Sequence, residues 1–309
     1  MRRWAFWTGH CLRLPTRKVE MEPLDVDNLD EKYLVVNGLN IRYIVRGSGS
    51  PVVLIHGIGE FLEVWWQNVG PLSEHYQVYA MDLPGHGMSD KPAIDYNLAF
   101  ATEFAIGFAQ ALGLGRASLI GHSLGGLVAM SIAINSPEKV DKLVLVDSGG
   151  LTDEMPLLYR FCCLPLLGEL IVEPTVKAAV KHGMKRSFYN PDLVTEEMVD
   201  KDYQFLKMPG AKRAMLSIIR YGVSLRGPNP EVIMLDKLHL IKSPTLLIHG
   251  TRDKVIPLKY AREAYKLIPN ARLKAIKKCG HCPYIEKASE FNEAVIGFLG
   301  TNKPGSLSG

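Results

Sequence analysis

The sequence predicts an α/β protein, a mostly parallel sheet with helices on both faces and a helical insertion, and three observations predict it. Short apolar, β-branched runs alternate with helical periods through residues 31–148 and again through 237–300, the rhythm of a parallel sheet covered on both faces. Between them, residues 149–236 read as helical with Pro and Gly breaks and no convincing buried strand, so a cap inserted into one domain is expected. The third observation is the run Ala117-Ser118-Leu119-Ile120, which passes through Gly121-His122-Ser123-Leu124-Gly125 into a helical pattern over 124–135: a strand, a sharp turn and a helix.

Taken in order, residues 33–36 and 41–45 flank Asn37-Gly38, a two-residue hairpin signal. Residues 52–55 form a continuous apolar run, of the kind buried on both faces, and it ends in His56-Gly57-Ile58-Gly59. A short strand over 78–81 is closed by the turn-rich Asp82-Leu83-Pro84-Gly85-His86-Gly87. Phe100, Phe104, Phe108 and Leu112 recur at i, i+4 and predict a helix over 97–112. The elbow strand and helix follow, then a strand over 143–146 that ends in Asp147-Ser148. Beyond the cap, a strand over 245–249, a helix over 258–267, a strand over 273–276 and a helix over 289–299 complete the domain. Within the cap, residues 157–172 are strongly apolar, but Arg160, Pro165 and Glu169 interrupt them, which excludes a membrane span. That segment is expected either to pack on the main domain or to line a hydrophobic pocket.

Hydrophobic residues at 47% and charged residues at 22% fit a soluble globular chain and exclude a disordered one. The net charge of +4 sits in residues 1–20, which hold five basic groups and one acid; the remaining 31 basic and 31 acidic residues balance, so no nucleic-acid partner is expected. The leader's apolar run is broken and no cleavage site follows it. A flexible basic extension over 1–30 is one expectation, and a weak contact of residues 1–20 with an anionic membrane surface is the other. Residues 301–309 read as a flexible tail. Five cysteines, an odd and small number, suit a reducing compartment such as the cytoplasm. Cys279-Gly280-His281-Cys282 is formally a C-x-x-C, but it lies near the C-terminus instead of opening a helix after a first strand. Without a second cysteine pair it does not predict structural zinc either.

A serine hydroxyl is a weak nucleophile until a base takes its proton, and the base works best when a carboxylate fixes its tautomer. Ser123 in the G-x-S-x-G turn is the candidate nucleophile: glycine at 121 and 125 removes a side-chain clash and tolerates φ > 0, and the helix N-terminus points at whatever the hydroxyl attacks. An acid and then a histidine should follow at strand ends. Asp253, just past the strand over 245–249, and His281, just past the next, meet that requirement, with Asp147 as the alternative acid. His56, His86 and His122 read as loop or pocket residues bonded to backbone. The oxyanion needs two N–H donors, expected from Leu124 and from Ile58 in the His56-Gly57-Ile58-Gly59 loop.

His56-Gly57-x-Gly59, Asp82-Leu83-Pro84-Gly85-His86-Gly87-x-Ser89-Asp90, Gly121-His122-Ser123-Leu124-Gly125-Gly126, Gly250-Thr251-x-Asp253-x-x-Ile256-Pro257 and Gly280-His281, in this order over 33–300, resemble the motifs of the α/β-hydrolase superfamily. The resemblance implies the α/β-hydrolase fold: a mostly parallel eight-stranded sheet and a helical cap. Tyr189-Asn190-Pro191-Asp192-Leu193-Val194-Thr195-Glu196-Glu197 and Glu286-x-x-x-x-Phe291-Asn292 resemble the meta-cleavage-product (carbon-carbon bond) hydrolases, as well as leaving ordinary carboxylesterases open. Those carbon-carbon hydrolases usually carry Asn before the nucleophile, Trp after the histidine and an arginine in the cap. Here His122 and Cys282 hold the first two positions and Lys201-Asp202 stands where the arginine is expected.

The leading expectation is a serine hydrolase, without cofactor or metal, that cleaves carboxylic esters through an acyl-enzyme on Ser123, with His281 as general base and Asp253 orienting it. Its substrate would be a small ester with an apolar acyl or ring group, and its state a monomer or homodimer. Carbon-carbon bond hydrolysis of a dienoate is the alternative. A ligand-binding receptor on a hydrolase scaffold is a third reading, against which the intact Ser, His and Asp set counts.

Overall fold

The structure is a computed structural model that describes residues 30–154, 160–172 and 177–301, with backbone only for 170–172. The basic extension, the tail over 302–309 and part of the apolar cap segment lie outside the described residues. Eight strands form one sheet in the order β1-β2-β4-β3-β5-β6-β9-β10. They are β1 (Lys32–Val36), β2 (Leu39–Arg46), β3 (Pro51–Ile55), β4 (Gln77–Met81), β5 (Ala117–His122), β6 (Val140–Val146), β9 (Thr245–Gly250) and β10 (Ala271–Ile276), the numbers 7 and 8 going to two short cap strands below. Only β2 runs against its neighbours β1 and β4; from β4 through β3, β5, β6 and β9 to β10 the sheet's strands pair in parallel. The N-G signal is a true hairpin turn: Asn37 at φ 50° and Gly38 at φ 80° both take the left-handed conformation that a two-residue I′ turn requires.

Strand alternation separates two cores. On β3, Val53 and Ile55 face one side, where α2 (Leu98–Ala111), α3 (Leu124–Asn135) and α8 (Leu258–Leu267) contribute Phe104, Phe108, Met130 and Ala264. Val52 and Leu54 face the other, against Trp65, Val69 and Leu72 near and in α1 (Trp66–Ser73) and Phe291, Val295 and Phe298 of α10 (Ala288–Leu299). Each such large side chain, fully buried, stabilises the fold by about 1.5–3 kcal/mol. Burial on both faces explains why β3 reads as an unbroken apolar run. Because β4 and β5 flank β3, the chain departs in opposite directions from it, and the crevice at their carboxyl ends is where such sheets bind ligands.

The segment between β6 and β9 lies over that crevice. It contains α4 (Leu167–Val172), α5 (Lys177–Ser187), α6 (Glu196–Leu206) and α7 (Ala211–Gly222). It also holds a two-stranded hairpin, β7 (Val223–Ser224) and β8 (Gly227–Pro228), which the helical reading of this stretch did not anticipate; two-residue strands carry no alternation to read. The Thr195 hydroxyl accepts the Met198 N–H and starts α6, with Glu196 and Glu197 at the positive end of the helix. The rings of Phe205 and Phe61 lie 4.4 Å apart, and a methyl group at Gly59 or Gly85 would strike Met215 or Ala214 of α7. The last strand links to α10 through the short α9 (Pro283–Glu286). Among the described residues, no helix is long and apolar enough to cross a membrane.

Candidate active site

Ser123 caps the N-terminus of α3 with φ 49° and ψ −111°, a backbone conformation that costs about 1–3 kcal/mol and that the surroundings must impose. The two flanking glycines impose it by close approach. A Cβ at Gly121 would overlap the Gly125 carbonyl, and one at Gly125 would overlap the Ile55 carbonyl of β3. Their own φ angles are not positive, so the expected need for φ > 0 falls on Ser123 alone. The turn leaves Ser123 half-buried at the helix end. Neither the Leu124 nor the Ile58 N–H has an acceptor among the described residues, as a donor pair waiting for an oxyanion requires.

His281 follows β10, and its Nδ1 lies 2.7 Å from Asp253 Oδ2. Asp253 is fixed in turn: its Oδ1 accepts the N–H groups of Val255 at 2.7 Å and Ile256 at 3.0 Å. Burial works against the Asp253 carboxylate, but the charge and hydrogen bond of His281 outweigh it and hold its pKa down at about 2. Asp147, the alternative acid, stands at the end of β6 with no bond to His281. Its Oδ1 accepts the Gly250 N–H at 3.0 Å, and its carboxyl hydrogen-bonds Asp253. Burial, and then the charge of Asp253, push the Asp147 pKa well above the usual carboxylate range. A contact between two carboxyl groups is a hydrogen bond only if one carries a proton, so Asp147 is the protonated partner and donates to Asp253. Burial also lowers His249 to about 4, leaving it neutral, with its Nε2–H donated to the Ile256 carbonyl at 2.6 Å.

A second network, absent from the sequence reading, ties the candidate oxyanion loop over 56–59 to the histidine loop through Glu60. Its Oε2 accepts the Gly57 N–H at 2.6 Å and lies 2.9 Å from His122 Nδ1, while Oε1 accepts the Tyr284 hydroxyl at 2.8 Å. His122 Nε2 donates to the His281 carbonyl at 2.9 Å, and the two rings are 4.7 Å apart. The residue before the candidate nucleophile thus clamps the backbone of the candidate base. Burial opposes ionisation of Glu60, but the His122 ring, the Gly57 N–H and the Tyr284 hydroxyl prevail and hold its pKa at about 2. The only hint in the sequence is an acid three residues after Gly57 in a loop without other charge.

The histidine loop is also stapled to the cap. Glu286 Oε1 accepts the Gly280 N–H at 2.6 Å, and its Oε2 accepts those of Tyr189 and Asn190 at 2.9 and 3.1 Å. The His281 N–H bonds the Ser187 carbonyl at 2.7 Å. The two sequence phrases that set this chain apart, around Asn190 and Glu286, therefore meet in space. His56 is backbone-bonded as expected: Nδ1 gives its proton to the Gly57 carbonyl at 2.7 Å and Nε2 accepts the Leu83 N–H at 3.0 Å. His86 Nδ1 likewise faces the Pro84 carbonyl at 3.2 Å.

Cys279 and Cys282 are free and buried, and burial, then the nearby carboxylates Glu286 and Glu60, push both thiols up, so neither is a reactive thiolate. Two groups of described residues bring metal-ligand atoms within 4.8 Å of one another: Glu60 with His122 and Cys282, and Asp147 with His249 and Asp253. In the first, the Tyr284 hydroxyl already bonds Glu60 and reaches to 3.3 Å from His122 Nδ1. In the second, the atoms are engaged in the carboxyl pair and the Ile256 bond.

Two cavities lie between the main domain and the cap. The larger, about 1070 Å³, opens between residues 93–97 and α7 and touches none of Ser123, Asp253 or His281. The smaller, about 40 Å³, is lined mainly by apolar side chains and includes Leu124, the residue after the candidate nucleophile, but likewise none of Ser123, Asp253 or His281.

The sequence model described as the alpha/beta hydrolase family matches residues 52–294. The 2-hydroxy-6-oxo-6-(2'-aminophenyl)hexa-2,4-dienoic acid hydrolase of Metapseudomonas resinovorans is 31% identical over 280 residues, covering 87% of this chain and 90% of its own. A solved meta-cleavage product hydrolase from Pseudomonas fluorescens IP01 superposes with a TM-score of 0.75 at 26% identity, covering 87% of this chain and 97% of that one. A membrane phospholipase A, described as a bacterial virulence factor, superposes with a TM-score of 0.74 at 28% identity, covering 88% and 86%. Since the family match runs from β3 into the last helix, through every loop that meets at Ser123, this chain belongs to the α/β hydrolase family.

Proposed function

We propose that this hydrolase cleaves carboxylic esters through a covalent acyl-enzyme on Ser123. The observation that carries the reading is the 2.7 Å contact between His281 and Asp253, at strand ends in the same crevice as a strained, helix-capping serine. His281 Nε2 takes the Ser123 proton as Oγ bonds the acyl carbon, while the Ile58 and Leu124 N–H groups hold the oxyanion. The tetrahedral intermediate collapses, its C–O bond breaks, and the alcohol leaves with that proton. Water then adds to the acyl carbon, giving its proton to His281; Ser123 Oγ departs and recovers the proton, and the carboxylic acid is released. Asp253 keeps the proton of His281 on Nδ1 so that Nε2 stays free to accept.

Carbon-carbon bond hydrolysis of a dienoate is the second reading, and the named relatives favour it. A charge argument favours neutral esters. Asp202 lies on α6 one turn before Phe205, whose ring packs on Phe61 next to Glu60. Burial, then the charge of Glu60, raise its pKa to about 7. A dienoate carboxylate entering beneath α6 would meet Glu60 and, above that pH, Asp202 as well. The test compares a short neutral aryl ester with a dienoate on the native chain and on Ser123→Ala. The proposal expects ester turnover that falls on the order of 10⁴-fold or more in the folded variant. Dienoate turnover without comparable ester turnover would establish the second reading instead.

A further inference from the structure

His122, the residue before the candidate nucleophile, is 1% exposed, and both of its ring nitrogens face oxygens that accept. Nδ1 lies 2.9 Å from Glu60 Oε2, and Nε2 lies 2.9 Å from the His281 carbonyl oxygen. A carbonyl only accepts, as does an ionised carboxylate, whereas a neutral imidazole has a single N–H to give. Two arrangements satisfy both contacts: the ring carries two protons, or Glu60 carries one and donates it to a bare Nδ1. The surroundings of Glu60 decide between them. Its Oε2 also accepts the Gly57 N–H at 2.6 Å, and its Oε1 accepts the Tyr284 hydroxyl at 2.8 Å, so two donors besides the ring support the anion. Burial opposes that anion, but the charge of His122 and these bonds outweigh it and hold the Glu60 pKa at about 2. The proton between the two side chains therefore belongs to the ring.

The pair is enclosed on every side. A Cβ at Gly57 would come within 2.9 Å of both Glu60 Oε2 and His122 Nδ1, so the backbone of the candidate oxyanion loop closes directly over the contact. Tyr284 is fully buried beneath the Trp65 ring at 4.6 Å; its hydroxyl proton goes to Glu60, and its oxygen lies 3.3 Å from Nδ1. Cys282 brings its sulfur within 4.8 Å of Glu60 and His122, and burial keeps that thiol protonated. The His281 ring is 4.7 Å away, with Asp253 bonded to its Nδ1. His56 and His249 are within electrostatic reach of His122, and burial keeps both neutral. Asp202 of α6 reaches the pair through the charge of Glu60. Among the described residues, Glu60 is the one carboxylate that bonds the His122 ring.

We propose that His122 is an imidazolium at pH 7 and that its buried ion pair with Glu60 is a positioning element of the reaction, holding His281 by its carbonyl against the candidate oxyanion loop. The charge rests on the hydrogen-bond geometry; its effect on turnover rests on the ester reading, in which His281 is the base. A ring with both protons has no lone pair for a metal, so Glu60, His122 and Cys282 do not form a metal site in this state. When rising pH takes one proton from the ring to solvent, one proton remains for two acceptors. Glu60 or the His281 carbonyl then loses its donor and the clamp opens on that side. Loss of one hydrogen bond from a charged donor corresponds to about tenfold in kcat/KM.

The test follows the ¹⁵N resonances of the chain labelled in histidine, and kcat/KM for a short neutral aryl ester, over the same pH range. At pH 7 both His122 nitrogens should resonate as N–H. Above its plateau, kcat/KM should fall about tenfold in step with the loss of the second proton. Glu60→Gln removes the anion that holds that proton, so both changes should move together to lower pH. His122→Gln, which has no proton to lose there, should show no such fall, and Asp202→Asn should keep it. If the variants do not fold, the native spectra and profile decide. One bare His122 nitrogen at pH 7 overturns the ion pair. Turnover that does not follow the second proton, a fall that survives in His122→Gln, or one that vanishes in Asp202→Asn overturns the clamp. Two protonated nitrogens without turnover of any ester overturn the ester reading, and with it the effect on turnover, while the ion pair stands.

Discussion

Asp147 and Asp253 share one proton, and the chemistry of the site depends on which of them keeps it. Asp253 faces the imidazole of His281 and two N–H groups, whereas Asp147 has a single N–H on Oδ1 and none on Oδ2. The proton therefore belongs to Asp147, which makes it a neutral donor holding the Asp253 carboxylate in place. Since its folded pKa lies well above the ordinary 3.8, the unfolded chain releases that proton first as pH rises. The folded state then binds more protons, and stability falls with pH from about 4 upward until Asp147 itself ionises. Asp147→Asn keeps both hydrogen bonds, with the amide donating to Asp253, and removes this loss. Its melting temperature relative to the native chain should rise with pH above about 4, and the acidic limb of the kcat/KM profile should stay where it is. A limb that moves to lower pH would mean that a negative charge was removed and that Asp147 is ionised in the native chain. At this scale the candidates Ser123, Asp253 and His281 were legible because each stands in a motif at a strand's end, and the structure brings the last two together at 2.7 Å. The proton on Asp147 and the clamp through Glu60 were not, because both depend on partners 106 and 62 residues away along the chain.

Among the elements, α6 carries the charge that the proposed function links to selectivity. Asp202 ionises near pH 7, after burial and the Glu60 carboxylate have delayed it. In the proposed function it is neutral to an incoming substrate below that pH and repels an anion above it. For a pair of matched aryl esters, one neutral and one with a terminal carboxylate, the ratio of kcat/KM values should move several-fold toward the neutral ester as pH rises from 6 to 8. In Asp202→Asn the ratio should stay flat. A native ratio that is also flat would show that Asp202 does not face the substrate. Most elements were legible because their periods are strong: the apolar runs of the inner strands, the i, i+4 phenylalanines of α2, and the helix over Leu258–Leu267. The region over 62–73 was not, since a 3-10 turn at Leu62–Trp65 runs into a helix that contains Pro71, and neither repeats a face often enough to read. The β7–β8 hairpin is held by pairing between Val223 and Pro228 and between Ser224 and Gly227, which short segments do not announce.

At the scale of the whole molecule, the sheet's carboxyl edge gathers loops from β3, β4, β5, β6, β9 and β10, and the cap closes over them. Glu286 ties the cap to the histidine loop, Phe205 and Met215 rest on the oxyanion loop, and Ala214 rests on the turn that carries His86. In the proposed function, substrate choice is divided between a core that supplies the attack and a roof that supplies charge and shape. The order of motifs revealed the core, since strand, loop and helix are local; it left the roof open, since cap selectivity arises from helices that meet only in three dimensions. The most direct test of the central claim is the intact mass of the chain quenched during turnover of a short neutral aryl ester. The account predicts a mass gain equal to the acyl group, located on the peptide that contains Ser123 and absent from Ser123→Ala. No acylated species, together with turnover of a dienoate by the same preparation, would contradict it.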